Sequence, residues 1–201
     1  MLSTLLIIIL SIIISFIIGL PLGILMAKSD PTEKVLRPIL DMMQTIPTFV
    51  YLIPAVIIFR VGKVPAVFAT IIYAVPPLVR LTSLGIRNVD KEMIEAGNSF
   101  GSTFSQMLFK IELPQAVKSI ATGLNQTTMM AVAMVVTSSM IGAGGLGQIV
   151  LEATNRSEIG KGFVGGFAIV ALAIILDRLL GGFTDNTNNK EGIEEWVSKL
   201  L

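Results

Sequence analysis

Reactive side chains are scarce in this chain. It contains no histidine and no cysteine, which excludes a Ser-His-Asp triad, a thiol nucleophile, a disulfide and a histidine-based metal site. Any enzymatic chemistry would fall to carboxylates, and almost all of these stand in polar connections between apolar runs. One glycine cluster, Gly142, Gly144, Gly145 and Gly147, superficially resembles a phosphate loop. Such a loop needs a preceding strand and a helix N-terminus aimed at the phosphate. Here the cluster ends an apolar run, no GxxxxGK[ST] occurs, and Gly160-Lys161 lacks the upstream glycine. These glycines are therefore expected to break a helix or let helices approach closely at a gate. The chain is read as non-catalytic, with no metal and no cofactor of its own.

Composition explains why chemistry is so thinly spread. The 201 residues are 53% hydrophobic and 14% charged, with mean hydropathy +0.79; ordinary soluble domains carry about 25% charged residues. The class is an all-α integral membrane protein. A formal net charge of +1 argues against a nucleic-acid partner bound through bulk charge. Five apolar runs, about 2–27, 35–59, 64–87, 114–141 and 160–180, are long enough to cross a bilayer. Pro21 suggests a kink in the first. Ser3, Ser11, Ser15, Gly19, Pro21 and Gly23 break its oiliness, and small residues at such spacing suggest close packing against another helix. Asp30-Pro31 reads as a turn.

Polar residues inside apolar runs must face protein or a water-filled path. Asn125, Thr128 and Met129 share one helical stripe and are assigned to such a path, as are Gln44, Thr45 and Thr48; inter-helix hydrogen bonding is the alternative. The tail, 183–201, places Ile193, Trp196, Val197, Leu200 and Leu201 on one face, which reads equally as an interfacial helix or as a chance stripe.

Eleven of the fifteen basic residues lie in the first connection, the central loop with its flanks, and the tail; Arg60, Lys63, Arg156 and Lys161 make up the rest. The positive-inside rule puts the larger group in the cytoplasm. The N-terminus is then outside, and the central loop 88–113 and the C-terminus are inside.

That loop carries the most informative stretch, EAGNSFGSTFSQMLFKIELP, Glu95 to Pro114. Asp90 can cap a short helix, Gly97 and Gly101 bracket its end, and Thr103 with Gln106 fits a capping box for a second. Phe100, Phe104, Met107, Leu108 and Ile111 are expected on one face of that second helix. Pro114 suits the first turn of the next span.

Glu95, Ala96, Gly97, Gly101, Ile111, Leu113 and Pro114 resemble the EAA motif of bacterial ABC importer permeases, departing from it only at Gly97, where the family has a second alanine. The segments 41–59, 64–89 and 134–150 are similar to the permease subunits of glycine betaine, proline betaine and proline importers. The resemblance covers roughly residues 2–182 and implies a type I ABC importer permease fold, with a five-helix core and a coupling helix that docks on an ATPase. It also implies a second permease copy, two ATPase subunits that bind ATP and Mg, an extracytoplasmic binding protein (free or tethered), and residence in the bacterial cytoplasmic membrane. The implied function is ATP-driven import of glycine betaine, proline betaine or choline-like solutes by alternating access. The alternatives are an importer permease for another small solute such as an amino acid and an ion-driven secondary transporter. The last would call for intramembrane carboxylates and inverted repeats, neither of which is evident. A non-transporting scaffold would need no polar belt in the fourth run.

Overall fold

The computed structural model describes the backbone of residues 2–200 and the side chains of residues 2–140, 142–179 and 181. The stripe Ile193, Trp196, Val197, Leu200 and Leu201 lies outside the described side chains. Among the described residues the chain is helical with no strand. Among these residues four helices are long and apolar enough to cross a membrane, and a bent pair makes a fifth if it is taken as one span.

Helix α1 (Leu2–Lys28) continues through Pro21. Helix α2 (Asp30–Thr45) and helix α3 (Thr48–Phe59) follow, then α4 (Lys63–Arg87). Contacts are densest where α4 packs against α1 and, in the next half of the chain, against α7 (Leu113–Ser138). Small residues permit the approach. Ser11, Ser15, Gly19 and Gly23 are buried along α1. A Cβ on Gly19 would sit 2.9 Å from Leu78 Cδ2, and one on Gly23 would sit 2.5 Å from Thr82 Cβ. In α7, Gly123 lies against Pro77 and Leu78. Bare helix surface is what gives dispersion its short distances in a bilayer, where no hydrophobic drive separates protein from lipid.

The second apolar run differs from expectation. Asp30-Pro31 is not a turn but the start of α2: Ser29 is the N-cap, Thr32 N–H donates to Ser29 Oγ at 3.4 Å, and Pro31 falls in the first turn, where its missing N–H costs nothing. The run 35–59 is also not one straight span. α2 and α3 meet at 92°. Pro47 cannot donate to a helix and disfavours helical backbone at the residue before it, and Ile46 is extended (φ −69°, ψ 129°). Tyr51 Oη donates to Met43 O at 2.7 Å across the corner.

The central loop folds as α5 (Lys91–Ser99) and then α6 (Phe104–Met107), which runs through a π-helical segment (Leu108–Glu112) into α7. Pro114 falls in the first turn of α7, as expected, and Phe104–Ser138 runs on as one candidate span. Leu113 N–H bonds to Leu108 O in the wide register, so the helix passes the proline by loosening a turn.

After α7 a second π-helical segment (Ser139–Ala143) ends the helix at the glycines, and α8 (Leu146–Asn155) leads to α9 (Ile159–Leu200). Of α9, Ile159–Leu179 is the apolar span. One core cluster joins Ile7, Ile8, Ala66, Val135, Leu146 and Leu172 from five helices at the glycine end of the bundle. Another joins Ile86, Leu108 and Ala116 at the opposite, charged end.

Candidate functional site

The seven motif residues of the central loop divide by role. Asp90 Oδ1 accepts from Glu92 N–H at 2.9 Å and starts α5. Glu95 and Ala96 are exposed on it. Gly97 is buried in the last turn of α5, just before its end; a Cβ there would lie 2.7 Å from Ile111 Cδ1 and 2.8 Å from Met107 Cε. This glycine is a contact surface, through which α5 rests on the segment leading into α7.

Gly101 supplies the stop. Its φ is +72°, Ser102 N–H bonds to Gly97 O at 3.1 Å, and Gly101 N–H bonds to Asn98 O at 2.9 Å. Those two bonds make a Schellman cap, which needs a left-handed residue at this position. Thr103 and Gln106 form the capping box, with Thr103 N–H to Gln106 Oε1 at 2.9 Å and Gln106 N–H to Thr103 Oγ1 at 3.4 Å. Ile111 and Leu113 are half-buried and Pro114 is exposed.

The aromatic face expected on the second short helix splits. Met107 and Leu108 point into the protein, whereas Phe100 is 88% exposed, Phe104 63% and Phe109 66%. Pattern alone could not separate them, because capping turns α6 only as far as Gly97 and Ile86 allow. The result is a rigid, doubly capped knob with bare aromatic rings, a combination suited to docking on another protein.

The knob is anchored to the rest of the chain by charge. Lys28, the last residue of α1, forms an ion pair with Glu112, whose side chain is only 5% exposed, and Lys28 Nζ also lies 5.3 Å from the Phe104 ring centroid. Arg87, ending α4, reaches Asp30 at 2.8 Å and Glu33 at 3.1 Å and donates to Met26 O at 3.0 Å. Arg80 pairs with Asp41. These pairings tie the ends of α1, α2 and α4 to one another and to the loop. The sequence shows the charges but not their partners, which are 39 to 84 residues apart.

The polar residues expected on a path fall out differently. Asn125 Nδ2 donates to Asp177 Oδ1 of α9 at 3.1 Å, and Thr128 is fully buried with its Oγ1 on Leu124 O at 2.9 Å; Met129 is half-buried. In this chain Asn125 serves the inter-helix alternative and Thr128 is closed off. Thr45 is exposed and bonds Met42 O at 3.1 Å; Thr48 opens α3. Gln44 does line an open groove of about 500 Å³ between α2 and α4, and its counterpart from α7 is Gln126, not Asn125. The groove's charged rim comprises Glu33, Arg37, Asp41, Arg80 and Arg87. The spacing of Glu33, Arg37, Asp41 and Gln44 puts them on one helix face, a signal hidden as long as 28–37 is taken for a loop.

The glycine cluster breaks the helix and packs closely. Gly142, Gly144 and Gly145 have φ of +95°, +77° and +100°. A Cβ on Gly145 would stand 2.3 Å from Thr4 Oγ1 and one on Gly147 would stand 2.5 Å from Val136 O. Thr4 Oγ1 accepts from Leu146 N–H at 3.2 Å, so the buried start of α8 is capped by a residue of α1.

Residues 19–186 match the family model described as "binding-protein-dependent transport system inner membrane component". Over 190 residues the chain is 52% identical to the glycine betaine/carnitine transport permease protein of Listeria monocytogenes serotype 1/2a (strain 10403S), covering 94% of this chain and 67% of that protein. It is 53% identical over 176 residues to the glycine betaine/proline betaine transport system permease protein of Escherichia coli (strain K12), covering 88% and 50%. The chain thus spans half to two thirds of the length of these relatives. Among solved structures, a chain of the MetNI methionine ABC transporter in an inward-facing conformation superposes with a TM-score of 0.77 at 24% identity, over 92% of this chain and 90% of that one. The fold is that of an ABC importer permease.

Proposed function

The chain belongs to the family of binding-protein-dependent transport system inner membrane components, and we propose that it is the membrane-spanning part of an ATP-driven importer for glycine betaine and related quaternary-ammonium solutes. The solute class rests on the 52% and 53% identity to permeases named for glycine betaine. ATP and Mg are bound by separate ATPase subunits, two per complex. Two permease copies enclose the path, and an extracytoplasmic binding protein delivers the solute. The N-terminus is outside and the charged end of the bundle is cytoplasmic, following the distribution of Lys and Arg.

The observation that carries this reading is the capped knob 91–113 with its bare Phe100, Phe104 and Phe109. ATP binding draws the ATPases together, the knob moves with them, and its links at Gly97, Lys28–Glu112 and Leu108 carry the displacement into α1, α4 and α7. Transmission needs a part that does not yield, and the Schellman cap and capping box supply it.

The test is uptake of labelled glycine betaine into proteoliposomes holding the permease, its ATPase and its binding protein. Uptake should require ATP on the ATPase side. Uptake that persists without ATP would overturn the reading in favour of an ion-driven carrier.

A further inference from the structure

The groove between α2 and α4 carries a charge pattern that docking on an ATPase does not call for. Along the α2 wall Glu33, Arg37 and Asp41 succeed one another at one-turn spacing, so the sign alternates. Arg80 stands on the α4 wall, and Pro77 and Leu81 add apolar surface. Arg80 pairs with Asp41, and 34% of its side chain stays exposed toward solvent.

We propose that this groove is a binding subsite for a small zwitterion bearing a carboxylate and a quaternary ammonium. The choice of solute rests on the transport reading above. The carboxylate accepts from the exposed part of the Arg80 guanidinium and from Arg37. The ammonium lies against the Asp41 carboxylate, and its methyl groups contact Pro77 and Leu81. Asp41 is 55% exposed, and ion pairs at such exposure are weak, so inserting the solute exchanges one weak pair for two. A plain cation would meet only Asp41, and a plain anion would take the arginines and leave Asp41 without a partner. Among the described residues no aromatic ring lines the groove, so a carboxylate rather than a ring face holds the cation. A site of this kind is loose, which suits a station the solute must leave.

Zwitterionic lipid headgroups carry the same two charges, and the experiment separates the two sources. The full chain is placed in nanodiscs of phosphatidylglycerol alone, and saturation-transfer NMR is read on the methyl protons of glycine betaine. A transfer signal is expected, with binding about tenfold weaker for choline, which lacks the carboxylate. Asp41→Asn and Arg37→Gln should each weaken betaine binding by a similar factor. Arg37 is an exposed residue whose ion pair with Glu33 is long at 3.6 Å, so its replacement keeps the test valid even if Asp41→Asn misfolds. Equal signals from betaine and choline, or undiminished binding in Arg37→Gln, would overturn the proposal. So would loss of the betaine signal when phosphatidylethanolamine is added, which would make the groove a headgroup site. The measurement needs neither ATP nor partners. Its failure leaves ATP-driven uptake standing, and a failure of uptake with binding intact would count against the transport reading alone.

Discussion

The two ends of the bundle are held by different forces. At the glycine end the helices meet backbone to side chain at distances where no Cβ fits: Gly145 against Thr4, Gly147 against Val136 O, Gly142 against Val61. At the charged end they meet through Lys28–Glu112, Arg87 with Asp30 and Glu33, and Arg80–Asp41. Steric fit leaves little choice: at Gly147 a Cβ would overlap backbone, which cannot rotate away, and at Gly142 and Gly145 a positive φ disfavours any side chain as well. An ion pair near water can be exchanged for another or for hydration at a cost of about 1 kcal/mol or less. The glycine end is thus built to keep its arrangement and the charged end to change partners. The exception at the charged end is Lys28–Glu112, where burial of Glu112 raises the cost of separation.

Substitutions can break this contrast. The largest effect is expected for Gly147→Val, whose Cβ would stand 2.5 Å from the Val136 carbonyl oxygen; overpacking against backbone should cost about 3 kcal/mol or more, seen as a loss of folded protein in thermal unfolding in nanodiscs. An undiminished midpoint would show that this end yields after all. Next is Lys28→Met, which strands the buried Glu112 carboxylate. An unpaired buried charge costs about 3 kcal/mol, and adding Glu112→Gln should recover most of it, a coupling that a double-mutant cycle measures. If the two losses simply add, the pair is not the anchor described here.

Smaller effects sharpen the account of the knob between those ends. Gly101→Ala meets nothing within 4 Å, so its cost is the left-handed backbone alone, about 1–2 kcal/mol. It should lower ATPase co-purification while leaving membrane insertion intact. Thr103→Ala removes only the capping side chain, worth about 1 kcal/mol at most helix starts, and faster amide exchange at Ser105 and Gln106 would register it.

Much of the central loop was legible. Asp90, Gly101, Thr103 and Gln106 act on neighbours within five residues, and caps of that range have the same geometry in any fold. The close packing of the first span was readable in part: of the residues that break its oiliness, Ser11, Ser15, Gly19 and Gly23 are buried, whereas Ser3 is half-buried and Pro21 exposed. Two roles were not legible. That Gly97 offers bare backbone to Ile111 and Met107, and that Asn125 reaches Asp177, depends on which neighbour stands opposite, and Ile111 and Asp177 declare nothing about pairing in their own sequence context.

By itself, then, the sequence determined the solvent, the helical class and the caps of the loop, because hydropathy and capping act through local chemistry. The tertiary structure decided which charges pair, which phenylalanines remain bare, that Pro47 turns a span through 92°, and that Gln126 rather than Asn125 faces the groove. Those outcomes depend on the rotation of whole helices about their axes. That rotation is set by the sum of many contacts across the bundle, and no single stretch of sequence contains it.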